Sequence, residues 1–594
     1  MSATTTKTAA AGTLFTPEEQ AKLVAWTKRY PQAPMGLIEA LREVQIWKGE
    51  VSLAAEAHLA ALFGVTRARV REVVTFYPFF PHEKAGKHRV SLCRNLSCHL
   101  AGGEKALHHL EKALGVAEGP ATADGMFSWE ASECLGACDL APAFAIDDEL
   151  LGAATPTAID AALSACRAGK APKAVSTAKA AAPVSDKAAL TKDFADPKLH
   201  TLEVYRRFGG YNAWEKARTM APADITAEVK NSNLRGLGGA GFPVAMKWET
   251  VPPKSARQVP HILVANADES EPGCFKDRVL MERNPHALIE GLQIAARAVD
   301  ADHVYIFIRG EYALQKRLLE AAVAEAKTAG LLDKDVLVMQ GANAYISGCD
   351  TALLETMEGK KAWPRQPPPF PTNAGLLNWP TVVNNVETLM MLTRVIAQGG
   401  EAFAAAGVAK SGGTRCFSVS GHVEKPGVYE FPLGTPIEDL LAAAGGMKGG
   451  RPLKAVIPGG TSTPVLTPEE TRGLKMDFDS LRAKGSFLGA GGVIFLDDSV
   501  DMVDVLHIIE RFLWVESCGQ CTPCREGSGW ATRVLARMKA GKGDAGDADN
   551  LVRLSENIMG KVICALGDTV GMVAAAMIKK FRADFDRRLE KPRG

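Results

Sequence analysis

HILVANADESEPG, residues 261–273, begins as an apolar run and ends in Asn266, Asp268, Glu269 and Glu271. Short aliphatic runs bounded by turn residues read as buried strands, and ligands sit at the carboxyl end of a strand in an open α/β sheet. Three acids within four residues ordinarily make a solvated turn. Directly behind a buried strand they suit the hydroxyls of a nucleotide ribose instead. A second strand, HVYIFIRG at 303–310, and amphipathic helices alternate with the first, which predicts an α/β region over about 195–410.

Upstream lies NLRGLGGAGFPVAMKW, residues 233–248, with Gly236, Gly238 and Gly241 in G-x-G-x-x-G register. The register alone is weak, and a polar helix-like stretch precedes it where a dinucleotide fold has an apolar strand. The bland reading is a flexible loop. Yet Gly236, Gly238, Gly239, Ala240 and Gly241 make a backbone almost free of side chains, which lets a flat ring or a phosphate come close. Lys247 is placed to neutralise phosphate and Phe242 to offer a stacking face. Downstream, PPFPTNAG at 368–375 and PTVVNNVET at 380–388 combine turn chemistry with the paired amides Asn384 and Asn385, suited to a polar cofactor edge.

Eight of the 12 cysteines fall in two groups. Cys93-x4-Cys98 is followed by Cys134-x3-Cys138, both pairs in tight turns beside strands. Thiolates are soft ligands for iron–sulfur clusters and zinc. The spacings favour a 2Fe-2S cluster, with zinc and plain buried thiols as alternatives. SCGQCTPCREG supplies Cys518, Cys521 and Cys524, and Cys564 in KVICALGD supplies a fourth thiolate. Three corners from one loop and one from elsewhere predict a 4Fe-4S cluster. Four thiolates with no spare histidine point to electron transfer, not open-site catalysis. Cys166, Cys274, Cys349 and Cys416 are isolated and read as small buried hydrophobes.

The remainder of the chain sets the frame. Its 594 residues exceed the roughly 250–300 at which one core stops growing, so three or more domains are expected. With 69 basic against 68 acidic residues, no global field points to nucleic acid or an anionic membrane. No apolar run approaches the ~18–20 residues of a bilayer span, and MSATTTKTAAAG lacks the features of a signal or transit peptide. These predict a cytoplasmic protein with no direct membrane insertion. Residues 13–80 read as helices, starting at Thr16-Pro17-Glu18-Glu19, with Thr as cap, Pro first and Glu third. Residues 167–192, rich in Ala, Lys, Pro and Ser, read as a solvated, semi-extended linker. Residues 412–496 form a small α+β module around IEDLLAAAG, and 500–594 are again helical.

With these motifs in order, nearly the whole chain resembles a fusion of two subunits of the NADH dehydrogenase module of respiratory complex I. The resemblance implies a multidomain α/β and α+β protein. Its parts are an N-terminal helical bundle (13–84), a thioredoxin-like 2Fe-2S domain (85–166), the linker (167–194), a Rossmann-like FMN- and NADH-binding domain (195–411), a ubiquitin-like domain (412–499) and a helical 4Fe-4S domain (500–594). It implies FMN, NADH and one cluster of each kind, with the two cysteine groups as ligands. The FMN and NADH contacts carry over to Gly236–Gly241, Phe242, Lys247, Asn266, Asp268, Glu269, Glu271, Tyr345, Gly348, Phe370, Asn384, Asn385 and Thr388. Phe242 and Phe370 are then adenine-stacking rings, while Lys247, Asn266, Asp268 and Asn384 hold FMN. Glu271 and Asp350 fall at the catalytic end beside the nicotinamide. The implied reaction is hydride transfer from NADH to FMN, then single-electron transfer to the 4Fe-4S cluster, with the 2Fe-2S cluster as a side acceptor. The implied partners are an iron–sulfur-chain subunit and the peripheral and membrane arms that lead to quinone, which would leave the protein peripheral to the inner membrane. The same module serves NAD-linked formate dehydrogenases and NAD-reducing hydrogenases; GSGW at 527–530 is similar to the complex I branch.

Two other classes compete. LAALFGVTRARVREVVTF, with Arg67, Arg69 and Arg71, looks like the helix-turn-helix of a redox-sensing DNA-binding regulator, but the neutral charge balance offers little to phosphates. An inactive structural subunit is opposed by the intact glycine loop and acidic stretch. Three positions depart from the complex I pattern. Leu237 stands in place of Arg, Thr250 in place of an aromatic, and Cys349-Asp350 in place of two glutamates. Asp350 keeps a carboxylate with one methylene less reach. An Asp350→Glu variant is therefore expected to shift NADH KM or the flavin midpoint potential, and both values unchanged would refute the role given to this pair.

Overall fold

The computed structural model describes residues 14–81, 83–174 and 185–589. Thr16 caps the first helix, Pro17–Trp26. Its hydroxyl accepts from the Glu19 amide at 3.2 Å, and the Glu19 carboxylate accepts from the Thr16 amide at 2.8 Å. This reciprocal pair satisfies donors that a helix start leaves free. Helices Leu37–Lys48, Leu53–Phe63 and Arg67–Phe76 follow. The last turns Val70, Val73 and Val74 inward, while Arg71 pairs with Glu56 at 2.8 Å and Arg69 lies 3.8 Å from Glu72, so the helix belongs to a bundle.

Strands β1 (His88–Cys93), β2 (Phe127–Ser132), β3 (Ala143–Ile146) and β4 (Glu149–Ala153) form a sheet in the order β2-β1-β3-β4, with β1 parallel to β2 and antiparallel to β3. The two-residue period of a strand separates its faces. Phe144 and Ile146 join Leu110 and Leu163 of helices Gly103–Leu114 and Pro156–Arg167 in one core, while Ala143 and Ala145 pack with Cys93, Cys98 and Leu135 in another. One face is covered by helices, and the other is left for the cysteines.

Strands β5 (Ile262–Ala267), β6 (His303–Ile308), β7 (Val336–Gln340) and β8 (Thr381–Asn385) form a second sheet, wholly parallel, in the order β7-β6-β5-β8. From β5 the chain moves outward through β6 and β7, then returns to place β8 on the other side of β5. The strand order reverses between β5 and β8, and a crevice opens at such a switch point. Ala265 pairs with Asn384 and Asn266 with Asn385 across that boundary. Strands β9 (Thr414–Gly421), β10 (Gly427–Pro432), β11 (Leu453–Ile457) and β12 (Gly492–Asp497) form the third sheet, in the order β10-β9-β12-β11, with helix Ile437–Ala443 beside it. Helices Met502–Val515, Thr522–Lys539, Asp547–Ile558 and Ala565–Lys580 close the chain.

The N-terminal bundle is not separate from this end. Leu37, Leu41 and Val70 share one apolar core with Ile494 and Leu496 of β12 and with Leu506, Ile509, Leu535 and Val573 of the C-terminal helices. Polar anchors add specificity: Arg42 donates to the Gly341 carbonyl at 3.1 Å, and the Tyr77 hydroxyl to the Lys360 carbonyl at 2.7 Å.

The solvated linker needs correcting at its C-terminal end. Residues 175–184 lie outside the described residues, but 188–194 are packed, with Leu190 and Phe194 buried in the main core. Glu430, buried in β10, accepts from the amides of Ala189 (2.7 Å), Leu190 (3.0 Å) and Thr191 (2.8 Å) and from the Thr191 hydroxyl (2.9 Å). The local Ala/Lys composition masks two anchors whose partner lies far along the chain. Replacing Glu430 with Ala leaves three amides without this acceptor, each buried donor costing about 1–3 kcal/mol. The Glu430→Ala protein should lose protection of Lys187 and Lys192 from limited trypsin digestion and melt several degrees lower. Wild-type digestion kinetics would show that the segment is not held this way.

Candidate functional site

The crevice between β5 and β8 gathers most of the residues singled out in the sequence. The glycine loop runs between helices Pro222–Asn231 and Val244–Glu249. A Cβ on Gly238 would lie 2.9 Å from the Cβ of Asn385, and one on Gly241 (φ +66°) would overlap the Phe478 ring, so side chains are excluded where the loop presses on its support. The Leu237 amide donates to the Thr388 hydroxyl at 2.8 Å. Asn385 caps helix Val386–Gln398 and donates to Asp277 at 2.6 Å. Asn384 accepts from the Trp248 indole at 3.0 Å, and Asn266 donates to the Gly348 carbonyl at 2.9 Å. Lys247 reaches both Asp350, at 2.8 Å, and the Val383 carbonyl, at 2.6 Å. Phe242 and Phe370 stay 51% and 59% exposed. These rings are apolar surface whose covering by a ligand would release about half of the roughly 1.5–3 kcal/mol that full burial of such a side chain is worth. Thr250, by contrast, uses its hydroxyl on Thr372 at 2.9 Å and braces the loop.

The three acids after β5 take three different roles. Asp268 accepts from the Ser270 hydroxyl, and burial lifts its pKa to about 7 against the pull of Arg309. Glu269 accepts from the amides of Asp277 and Arg278, both at 2.9 Å, at the start of helix Lys276–Arg283, and from the Tyr312 hydroxyl at 3.2 Å. Burial, with Asp277 nearby, raises it to about 7. Its carboxylate is used as a helix cap. Glu271 accepts from the Tyr345 hydroxyl at 2.7 Å and from the Ser462 amide at 2.8 Å.

Beneath the glycine loop lies a buried charge network that the sequence motifs do not announce. Lys276 pairs with Asp277 at 2.7 Å and Glu387 at 3.0 Å. Glu387 also accepts from the Cys416 amide at 2.6 Å, and Arg415 donates to the carbonyls of Leu237 (2.9 Å) and Gly489 (2.7 Å). The one signal for it in the sequence is Glu387, a lone acid at the start of the apolar helix VETLMMLTRVIAQ.

Cys93, Cys98, Cys134 and Cys138 are all buried. The Cys93 thiol meets those of Cys98 and Cys134, and Cys134 meets Cys138. Hydrogen bonding from Cys138 and Cys93 and the charge of Arg309 hold Cys134 well below the usual thiol range. Amides of Gly136 and Ala143 point at the sulfurs of Cys134 and Cys98, each at 3.4 Å. Among the described residues no three His, Cys, Asp or Glu side chains are disposed about one ion. Two adjoining thiol pairs with amide donors are a set that a two-iron cluster can take.

In the second group, Cys521 and Cys564 occupy the N-cap positions of helices Thr522–Lys539 and Ala565–Lys580, with Cys524 in the first turn of the former. The Ile563 amide donates to the Cys521 sulfur at 3.4 Å, and the Ser517 hydroxyl lies 3.3 Å from that of Cys524. Burial pushes Cys524 up to about 11 and Cys564 to about 12. Helix N-termini and a bound metal are the influences that restore the thiolate. Cys166, Cys274 and Cys416 are buried as expected, but Cys349 is half-buried and lies within electrostatic reach of Cys518 and Cys564. Gly348-Cys349-Asp350 thus links the crevice to the second thiol group. The first group is joined to the crevice by Arg309, which donates to the carbonyls of Cys134 and Glu269, both at 2.7 Å.

Comparison with known proteins agrees with this layout. Family models match residues 23–167 (thioredoxin-like 2Fe-2S ferredoxin), 229–394 (Nuo51 FMN-binding domain), 416–466 (SLBB domain) and 504–588 (NADH-ubiquinone oxidoreductase-F iron-sulfur binding region). An NADH-quinone oxidoreductase F subunit of Rhizobium meliloti strain 1021 is 48% identical over 408 residues, 67% of this chain and 96% of the relative. The F subunit of Mycobacterium tuberculosis strain H37Rv is 43% identical over 415 residues, 68% of this chain and 93% of the relative. A chain of an NAD+-reducing NiFe hydrogenase, solved in the H2-reduced state, superposes with a TM-score of 0.83 at 30% identity, covering 95% of each chain.

Removing Lys276, the cation between Asp277 and Glu387, leaves those two carboxylates facing each other in the interior, a loss of about 3–5 kcal/mol. A Lys276→Met protein should therefore melt lower and retain less flavin per chain after gel filtration. Full flavin content at wild-type stability would show that the network does not support the loop.

Proposed function

The chain belongs to the family of NADH-quinone oxidoreductase F subunits, and from that premise we propose that its β5/β8 crevice holds FMN and the dinucleotide while the eight clustered thiolates carry electrons away. The protein is an NADH dehydrogenase that depends on FMN, one 2Fe-2S cluster and one 4Fe-4S cluster. When bound, FMN takes the two electrons of NADH as a hydride and releases them singly, a conversion that no side chain performs.

The side chains hold and orient. Gly236, Gly238, Gly239, Ala240 and Gly241 let the isoalloxazine and phosphate approach the backbone, and Lys247 neutralises phosphate charge. Asn266, Asp268, Gly348, Asn384, Asn385 and Thr388 supply polar contacts to FMN, with Glu269 fixing the loop that carries them. Phe242 and Phe370 cover the adenine and exclude water, and Glu271, Tyr345 and Asp350 line the nicotinamide end. Cys93, Cys98, Cys134 and Cys138 ligate the 2Fe-2S cluster, and Cys518, Cys521, Cys524 and Cys564 the 4Fe-4S cluster. The observation that carries this reading is the continuity of Gly348-Cys349-Asp350. Asn266 and Lys247 bind its two ends, while its middle residue lies within electrostatic reach of Cys518 and Cys564. Nucleotide crevice and thiolates are neighbours along one short stretch.

The protein works as one subunit of a larger redox assembly. Among the described residues no helix is long and apolar enough to cross a membrane. On the complex I reading, an iron–sulfur-chain subunit accepts the electrons, and the peripheral and membrane arms pass them to quinone. The protein is then held at the cytoplasmic side of the inner membrane by its partners. A second reading, the diaphorase subunit of an NAD-reducing hydrogenase or NAD-linked formate dehydrogenase, is favoured by one observation. The hydrogenase chain covers 95% of this chain, whereas the two quinone oxidoreductase relatives cover about two thirds of it. Purification of the native assembly separates the two: a quinone-reducing membrane arm supports the first, a nickel or molybdenum subunit the second.

Anaerobic NADH added to protein reconstituted with iron, sulfide and FMN should bleach the flavin and make at least one cluster paramagnetic. Cys521→Ser should abolish the 4Fe-4S signal yet leave NADH bleaching intact. A flavin that stays yellow in the wild-type protein would overturn the proposal.

A further inference from the structure

The turn after β11, Gly459-Gly460-Thr461-Ser462, belongs to the third sheet, yet it reaches into the crevice of the second. Glu271 Oε1 accepts from the Ser462 amide at 2.8 Å and from the Thr461 hydroxyl at 3.3 Å, and the Ser462 hydroxyl also favours the charged carboxylate. The other oxygen, Oε2, accepts from Tyr345 at 2.7 Å. The turn is shaped to admit this side chain. Gly460 has φ +102°, and a Cβ there would overlap Glu271 Cγ and lie 2.6 Å from Oε1. One backbone bond joins the two loops, from the Thr461 amide to the Pro272 carbonyl at 3.2 Å, and another ties the turn to its own sheet, from the Gly460 amide to the Gly492 carbonyl at 2.6 Å. Donors on both oxygens, from two different domains, fix the plane of the carboxylate as well as its position.

We propose that the 459–462 turn is a positioning element of the dinucleotide site, holding Glu271 as a fixed acceptor toward a hydrogen-bond donor of NADH. This rests on the NADH dehydrogenase reading above and adds to it a part for the third sheet. A freely rotating glutamate loses rotamer entropy when a ligand immobilises it. Here that ordering is complete before the ligand arrives. Residues Thr461 and Ser462 act through Glu271 and need not touch the dinucleotide.

The test uses the intact holo-assembly, with ferricyanide as the one-electron acceptor. Thr461→Val/Ser462→Ala removes both hydroxyls and retains the Ser462 amide. NADH KM should rise about three- to ten-fold, the value of one or two hydrogen bonds, with kcat within two-fold and both cluster signals unchanged. Thr461→Ser should return most of the affinity. Gly460→Ala, which drives a methyl into Glu271, should raise KM further; if it fails to fold, the hydroxyl variants still decide the matter. Glu271→Gln should raise KM in parallel. Wild-type KM in the Thr461/Ser462 variant alongside a raised KM in Glu271→Gln would reduce the turn to a scaffold and overturn the inference. Wild-type KM in both would remove Glu271 as the acceptor and overturn it too. Absence of NADH-driven flavin reduction in the wild-type assembly would instead defeat the underlying reading.

Discussion

Buried charge must be paired, and in this protein the segment following β5 concentrates it. Asp268, Glu269, Glu271, Lys276, Asp277 and Arg278 lie within eleven residues, largely withdrawn from solvent. Some of their partners are local, but several come from far along the chain. Tyr312 and Tyr345 come from elsewhere in the parallel-sheet domain, Glu387 and Asn385 from the β8 junction, and Thr461 and Ser462 from the third sheet. Arg278 donates to the Gly136 carbonyl at 3.0 Å and to Asp139 at 2.6 Å, on the loop that carries Cys134 and Cys138. An unpaired charge in such a place is costly. The segment therefore reaches its native state only when the surrounding units are docked, and the geometry of crevice and cysteine loops follows from that requirement.

The same logic separates what is readable in the sequence from what is not. Cysteine spacing, the Thr16 cap and the strand HILVANA are local codes, with the chemistry and its partner a few residues apart. Glu269 reads, beside its neighbours, as a nucleotide contact, because its capping role depends on a helix eight residues on and on Tyr312. The anchoring of Leu190 depends on Glu430, the pairing of Lys276 on Glu387 and the bracing of Glu271 on Thr461. Each partner is more than a hundred residues away, where no periodicity or motif reaches. Cys349 reads as an inert thiol for the same reason: its neighbours Cys518 and Cys564 approach only in the folded chain.

The departures from the complex I pattern also take on physical content. Leu237 is 1% exposed and packs into the main core, so its side chain faces away from any ligand while its amide and carbonyl serve Thr388 and Arg415. Nearby, Arg235 donates to the Gly241 carbonyl at 2.6 Å and lies 4.3 Å from the Phe478 ring, stiffening the glycine loop from outside. Thr250 exchanges aromatic surface for a hydroxyl bridge to Thr372. In the proposed site, affinity for the adenine would then fall more heavily on the two exposed phenylalanines.

The shared core between the first helices and the last has a consequence for how the molecule is made. Leu37, Leu41 and Val70 leave the ribosome early, yet the core they belong to also includes Leu535 and Val573, which are translated near the end. That core is completed only late in synthesis. Joining both halves in one polypeptide keeps the late-arriving surface tethered at high effective concentration and ensures one ferredoxin-like unit for every flavin unit. Supplying the two halves as separate chains would turn that final docking into a concentration-dependent encounter.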